Sequence, residues 1–299
     1  MAVSVASSRP VWIEQPKLAT RVSKIVILAL IVIVMLFPFV YVLSVSLSNQ
    51  ADLQGANVAL IPRHPTLAAY QQVLAGGIVT RALEVSIGIT LVGTFVSMVM
   101  TTTLAFGLSR TRQVPGSRFV LLLVLGTLLF SAGIIPNYLL VRYLGLLNNF
   151  ASLILPGMIS AFNLVVVRQF FMGIPDDLTD AALIDGANPL QIFWHVTLPL
   201  SKAVLAVVAL FYGVGLWSDF FNALLYLNNT AMWPIQLVLR LFVLQGQSLV
   251  SGQTSGQPAP PSQTVQMAVV MIATVPILVV YPFLQKYFTQ GVLSGAVKG

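Results

Sequence analysis

The sequence predicts an all-α integral membrane protein, and three observations carry that prediction. Of 299 residues, 57% are hydrophobic and only 8% are charged, whereas a soluble domain carries about 25% charged residues. The mean hydropathy is +0.92. The apolar residues gather in uncharged runs of about 20, the length of a membrane-crossing helix, and helices satisfy every backbone polar group without water. Composition excludes other classes. There is no cysteine, so disulfides, thiolate metal sites and a cysteine nucleophile are absent. Two histidines, His64 and His195, are too few for a His-rich metal site.

Six spans are expected, in this order. Ile25–Asp52 brackets the first, with an unbroken apolar core from Ile25 to Leu36. That core and the lack of a nearby small-residue cleavage site predict a retained anchor rather than a cleaved signal peptide. The second is Val85–Ser109, between Glu84 and Arg110. The third is Phe119–Val141, and the fourth Tyr143–Val167, whose start, Leu144–Asn149, reads as a turn. The fifth runs from Ala203 to about Leu227 and is interrupted by Asp219; the sixth covers Val265–Leu284. The chain thus divides into an N-terminal segment 1–24, a six-helix domain 25–288 that includes a loop 172–202, and a tail 289–299.

Charge sets the orientation. With the N-terminus in the cytoplasm, 11 of the 15 Lys and Arg residues fall inside and four (Arg63, Arg81, Arg142, Arg240) outside. This positive-inside bias explains the formal charge of +7 without nucleic-acid binding. Both termini are expected in the cytoplasm. The outer loops are Asn49–Val79 and Asn228–Ser262, the latter rich in Gly, Ser, Gln and Pro from Gly246 and expected to be flexible.

The inner loop between spans four and five breaks the compositional pattern. Four of the chain's eight acids, Asp176, Asp177, Asp180 and Asp185, lie in it. A surface-lying connector would favour Lys and Arg instead. Pro175 can open a first short helix, with Asp176 and Asp177 at the positive end of its dipole. Gly186 ends it with a left-handed backbone, and Asn188 caps a second helix with Pro189 at its first position. Leu178, Ala181, Ala182 and Ile184 give the first helix apolar and small surface. Ile192, Phe193 and Val196 give the second a hydrophobic side. Two such helices form a knob suited to a groove on a soluble partner.

Asp180-Ala181-Ala182, three residues, Gly186, nine residues, Val196, one residue, Leu198-Pro199 resembles the EAA signature of ABC importer permeases. The spacing agrees throughout; Asp stands for the family's Glu at 180 and Val for its Ile at 196. Asp185-Gly186-Ala187, Phe193 and Trp217–Tyr226 resemble the carbohydrate-uptake branch, and the ending Gly291–Gly299 resembles the second permease of maltose-type systems. Leu53–Tyr70 is similar to the subgroup for polysaccharide-derived oligomers, alginate above all. The resemblance implies a type I importer fold with a cytoplasmic coupling loop (Asp180, Ala181, Ala182, Asp185, Gly186, Phe193, Leu198, Pro199). It also implies a second homologous permease, two ATPase subunits, an extracytoplasmic solute-binding protein and a bacterial inner-membrane location. The tail residues Lys298 and Gly299 are implied to reach the ATPases. ATP and Mg2+ would sit on those partners. This chain is expected to be no enzyme and to hold no cofactor, since no lysine follows a glycine and a phosphate-binding loop is therefore missing.

Asp219 is costly inside a span and so invites a functional reading. Gly215, Asp219, Asn222 and Tyr226 recur on one helical face, and Tyr212 or Trp217 can stack on a sugar ring. This is the candidate substrate path; a structural hydrogen bond is the competing reading of Asp219. Glu84 reads as the partner of Arg81 three residues earlier. Ser86, Thr90, Thr94, Ser97 and Thr101 form a polar stripe read as helix packing. Asn137, Tyr138 and Asn163 are further pathway candidates. The rival function is a proton-coupled secondary transporter using Asp219 and Glu84 as carriers. It needs no ATPase and leaves the acidic knob unexplained.

Overall fold

The computed structural model describes residues 18–49, 53, 61–62, 64–75, 77–110, 114–244 and 263–296, without the side chains of 244 and 283–296. Within them every regular element is helical. In order they are α1 (Leu18–Ser46), α2 (Ala68–Ala75), α3 (Ile78–Ser109), α4 (Ser117–Leu129), α5 (Ile134–Tyr143), α6 (Ala151–Ile154) and α7 (Ala161–Met172). Then follow α8 (Asp176–Ile184), α9 (Pro189–Leu200, π-helical over Phe193–Thr197), α10 (Lys202–Ser218), α11 (Phe220–Tyr226), α12 (Ile235–Leu244) and α13 (Gln263–Ala296).

Among the described residues, three helices are long and apolar enough to cross a membrane by length and composition: α1, α3, and α13 as far as Pro282. Helix α1 is apolar all round, as a lipid-facing helix is. It buries only its last turn, Ser44–Ser46. There Ser46 Oγ and the Tyr70 hydroxyl lie 2.7 Å apart, and Gln263 Nε2 donates to the Tyr41 hydroxyl at 3.2 Å.

Helix α3 is the spine, packed by α7, α10 and α12. Its polar stripe is used for packing, as the sequence suggests. Ser86 Oγ accepts the Ile235 N–H at 2.8 Å, and Thr101 Oγ1 meets the Tyr212 hydroxyl at 2.7 Å. Thr90 and Thr94 lie against Gly213, while Gly93 receives Leu216. Small residues let helix backbones approach where no hydrophobic effect separates lipid from protein. A Cβ at Gly93 would stand 2.7 Å from Leu216 Cδ1 and 3.3 Å from Ile154 Cγ1. Gly93→Ala therefore costs little, because the leucine tip can move. Gly93→Leu forces α3 and α10 apart and destabilises by about 1–3 kcal/mol. The thermal unfolding midpoint of the detergent-solubilised protein should fall for Leu and hardly move for Ala.

The middle of the chain departs from the continuous spans expected. The third is two helices, α4 and α5, parted at Phe130–Gly133, where Gly133 has φ 82°. The fourth is α6 and α7, parted at 155–160; Ser160 then caps α7 by accepting the Asn163 N–H. The fifth is α10 and α11, parted at Asp219. The turn expected at Leu144–Asn149 is present and is held by Asn148, a non-glycine residue at φ 55°. Asn148 Oδ1 accepts the N–H groups of Asn228 (2.6 Å) and Asn229 (3.2 Å), and its own N–H donates to Tyr226 O at 2.9 Å. Helix α13 continues to Ala296, into the segment 289–299 that the sequence assigns to a tail after the last span.

Candidate functional site

The segment Gly173–Ser201 forms the corner expected of it. Helix α8 starts one residue later than the sequence suggests: Pro175 is its N-cap, and Asp176 and Asp177 occupy the first turn. Its end is a Schellman motif. Gly186 adopts φ +83°, its N–H donates to Leu183 O at 3.0 Å, and the Ala187 N–H donates to Ala182 O at 2.9 Å. Asn188 then opens α9 with a complete capping box. Its Oδ1 accepts the Gln191 N–H at 2.9 Å, and Gln191 Oε1 accepts the Asn188 N–H at 2.8 Å.

Helix α9 meets α10 at 84°. Pro199 removes the N–H that would bond the carbonyl four residues earlier, and its ring crowds that carbonyl. The π-helical turn Phe193–Thr197 widens the backbone just before it. At the corner Ser201 is fully buried, and its Oγ donates to Thr197 O at 2.7 Å.

Burial divides the loop into a root and a tip. Phe193, expected on a docking surface together with Ile192, is instead part of the root. Both are buried, and Phe193 packs among Ala105, Leu108, Val167, Phe171 and Tyr212, 5.0 Å from the Phe106 ring. Leu198 packs against the same cluster. The tip contains Asp180, Ala181, Asp185 and Gly186, all exposed, and α8 buries no residue. Ile184 is 87% and Trp194 59% exposed. His195 is on the exposed side, with Nδ1 3.0 Å from Gln191 O.

Asp180 also lines an open pocket of about 520 Å³ between the ends of α3 and α7 and the first turns of α8, with Arg110, Asp176, Thr179 and Ser109 among its walls. The Arg110 guanidinium lies 4.5 Å above the Phe106 ring. Burial lowers its pKa, and Asp176 opposes that shift. Nearby, Arg168 Nε donates to Leu108 O at 2.9 Å, tying α7 to the last turn of α3.

The candidate substrate-path residues do not share one face, because the helix breaks among them. Asp219 (φ −78°, ψ 82°) is the N-cap of α11: Oδ1 accepts the Asn222 N–H at 3.2 Å, and Oδ2 accepts from Asn222 Nδ2 at 2.9 Å. Tyr212 is buried, and its hydroxyl accepts the Ser160 N–H at 2.9 Å. Trp217 is buried, with Nε1 donating to Ala273 O at 3.1 Å. Tyr226 is buried against Tyr138, ring centroids 6.3 Å apart. Tyr212 and Trp217 are therefore anchors between helices within this chain, not open stacking platforms. Gly215 is exposed and Asn222 half-buried; Asn163 is buried and Asn137 exposed. Glu84 pairs with Arg81 at 3.3 Å on an exposed face, as the sequence suggests. Lys298 and Gly299 lie outside the described residues. Asp219→Ala, which removes the cap, should destabilise by about 1 kcal/mol, while Asp219→Asn keeps a capping oxygen and should match wild type. Unfolding midpoints of the two variants check this.

Comparison with known proteins gives three results. The family described as "Binding-protein-dependent transport system inner membrane component" matches residues 94–294. Two relatives come from Bacillus subtilis. Protein LplC is 45% identical over 265 residues (88% of this chain, 90% of that protein). The polygalacturonan/rhamnogalacturonan transport system permease protein YtcP is 42% identical over 275 residues (91% and 96%). A crystal structure of a bacterial ABC transporter involved in import of the acidic polysaccharide alginate superposes with a TM-score of 0.83. Its matching chain is 29% identical, with 92% of this chain and 100% of that one covered.

Proposed function

The chain belongs to the family of binding-protein-dependent transport system inner membrane components, and from that premise we propose that it forms half of the translocation pathway of an ATP-driven importer for an oligo- or polysaccharide of the alginate type. The permease is not itself an enzyme. ATP and Mg2+ belong to two separate ATPase subunits, and a second permease and an extracytoplasmic binding protein complete the complex. In this reading α1, α3, α4–α5, α6–α7, α10–α11 and α13 make six crossings of the bacterial inner membrane, with both termini in the cytoplasm. Broken helices are tolerated at membrane depth where protein or a water-filled path covers the freed backbone groups.

One observation carries the proposal: the acidic tip of the Gly173–Ser201 corner, with Asp180 and Asp185 exposed, buries no residue of α8, while its root is locked into the bundle. Such a part transmits force. A partner seated on the tip moves α8, and the buried Phe193 and the 84° corner pass that motion to α10. The proton-driven alternative is weaker. Its two carriers are engaged, Asp219 by Asn222 and Glu84 by Arg81. Affinity purification of the tagged chain from a native membrane extract tests the assembly: an ATPase subunit should co-purify in a stable complex. Recovery of the permease alone, under conditions that retain a second permease, would refute the proposal.

A further inference from the structure

Helix α12 is an apolar segment, Ile-Gln-Leu-Val-Leu-Arg-Leu-Phe-Val-Leu, with one charge, Arg240. It does not lie on the surface of the bundle. The N–H of Ile235 bonds Ser86, eight residues into α3 and so about 12 Å below its end. Ile235, Val238 and Phe242 are buried with Trp217 of α10 and Ala273 of α13. The opposite side holds Gln236 and Arg240, one turn apart and both half-buried. The Arg240 guanidinium lies 5.4 Å from the Phe220 ring, beside the α10–α11 break.

The neighbouring carboxylate, Asp219, forms no ion pair with it. Both oxygens of Asp219 are taken by Asn222, and among the described residues Arg240 has no carboxylate partner. A half-buried cation in an otherwise apolar helix faces a cavity or a partner rather than lipid tails. A guanidinium over an aromatic ring gains cation–π attraction and still has N–H donors to offer, and arginine is the residue suited to bidentate recognition of a carboxylate.

We propose that Arg240, lying over the Phe220 ring, binds a sugar carboxylate at the outer approach to the pathway and makes the cargo an acidic oligosaccharide. This rests on the importer reading above. A phospholipid headgroup offers the same anionic chemistry and is the alternative occupant that the test separates.

The experiment uses the complete transporter, with its second permease, ATPases and binding protein, in proteoliposomes. ATP-dependent uptake is measured for trigalacturonate and for its carboxyl-reduced counterpart, trigalactoside. Arg240→Gln should lower trigalacturonate uptake about 10- to 100-fold, the range of a lost charge-assisted hydrogen bond, while all subunits still co-purify in the same ratio. Arg240→Lys should recover part of that loss. Several results would overturn the inference: wild-type trigalacturonate uptake by Arg240→Gln, an equal loss of both compounds, or failed assembly of both variants. Equal loss or failed assembly would place Arg240 in packing or lipid contact. If the wild-type complex imports trigalactoside but no trigalacturonate, this inference falls and the importer reading stands. If it accumulates neither compound nor any other oligosaccharide on ATP, both fall.

Discussion

Asp180→Lys is expected to assemble with its partners at normal levels and to lose most sugar import. The residue is exposed on α8, on the tip that carries no buried side chain, so the substitution spares the bundle. What it changes is the joint. A partner shifts a conformational equilibrium only through contacts that differ between the two states, and a carboxylate on a docked helix supplies such a contact with a basic group of the socket. Leaving one member of a desolvated charge pair alone costs about 2–5 kcal/mol, so transport should fall at least roughly 30-fold. ATP hydrolysis should also stop responding to the loaded binding protein. Asp180→Glu keeps the charge and should be close to neutral. The pocket suggests a control, because Asp180 and Arg110 both line it. If Asp180 acted by pairing with Arg110 inside the chain, the double variant Arg110→Glu/Asp180→Lys would recover transport. The docking account expects no recovery. Wild-type uptake by Asp180→Lys at equal expression would remove the residue from the coupling role.

Gly186→Val is expected to leave the chain in the membrane with its second permease but unable to retain the ATPase. At φ +83° an added Cβ meets no atom within 4 Å, so the penalty is conformational, not steric. A left-handed backbone costs an L-residue roughly 1–2 kcal/mol, and a β-branched side chain is the worst choice there. The chain would relax by unwinding the Schellman hydrogen bonds at Ala182 and Leu183, which set the angle between α8 and α9. Gly186→Asn should be much milder, since asparagine visits this region readily. The comparison to make is ATPase retention by the Val and Asn variants on purification. Equal retention by both would show that the corner angle does not matter.

Local chemistry made these loop features legible in the sequence. A glycine after an apolar run, Asn-Pro-Leu-Gln before another, and an Arg three residues ahead of a Glu each encode a structure within one or two turns. The Gly186 conformation, the Asn188 cap with Pro189 after it and the Arg81–Glu84 pair followed accordingly. The helix breaks near Phe130 and Leu155 did not, and at Asp219 the sequence marked an interruption of the uncharged run without showing that the helix ends there, because apolar runs report composition and not backbone continuity. Asp219 shows the limit best. A lone carboxylate in a hydrophobic run resembles a site residue, and only the break itself makes it a cap for Asn222. Phe193, Tyr212 and Trp217 are buried for a different reason. Their residue types fit both docking and burial, and contacts from α3, α7 and α13, far away in sequence, decide for burial. The signal at Arg240 was present in the sequence, one charge among ten residues of α12, but its place over the Phe220 ring was not.

Uptake of labelled oligosaccharide into proteoliposomes containing the purified complex tests the central claim most directly. The account predicts accumulation only when ATP is on the ATPase side and loaded binding protein is on the other, with no response to an imposed proton gradient. Accumulation driven by that gradient in the absence of ATP would contradict it.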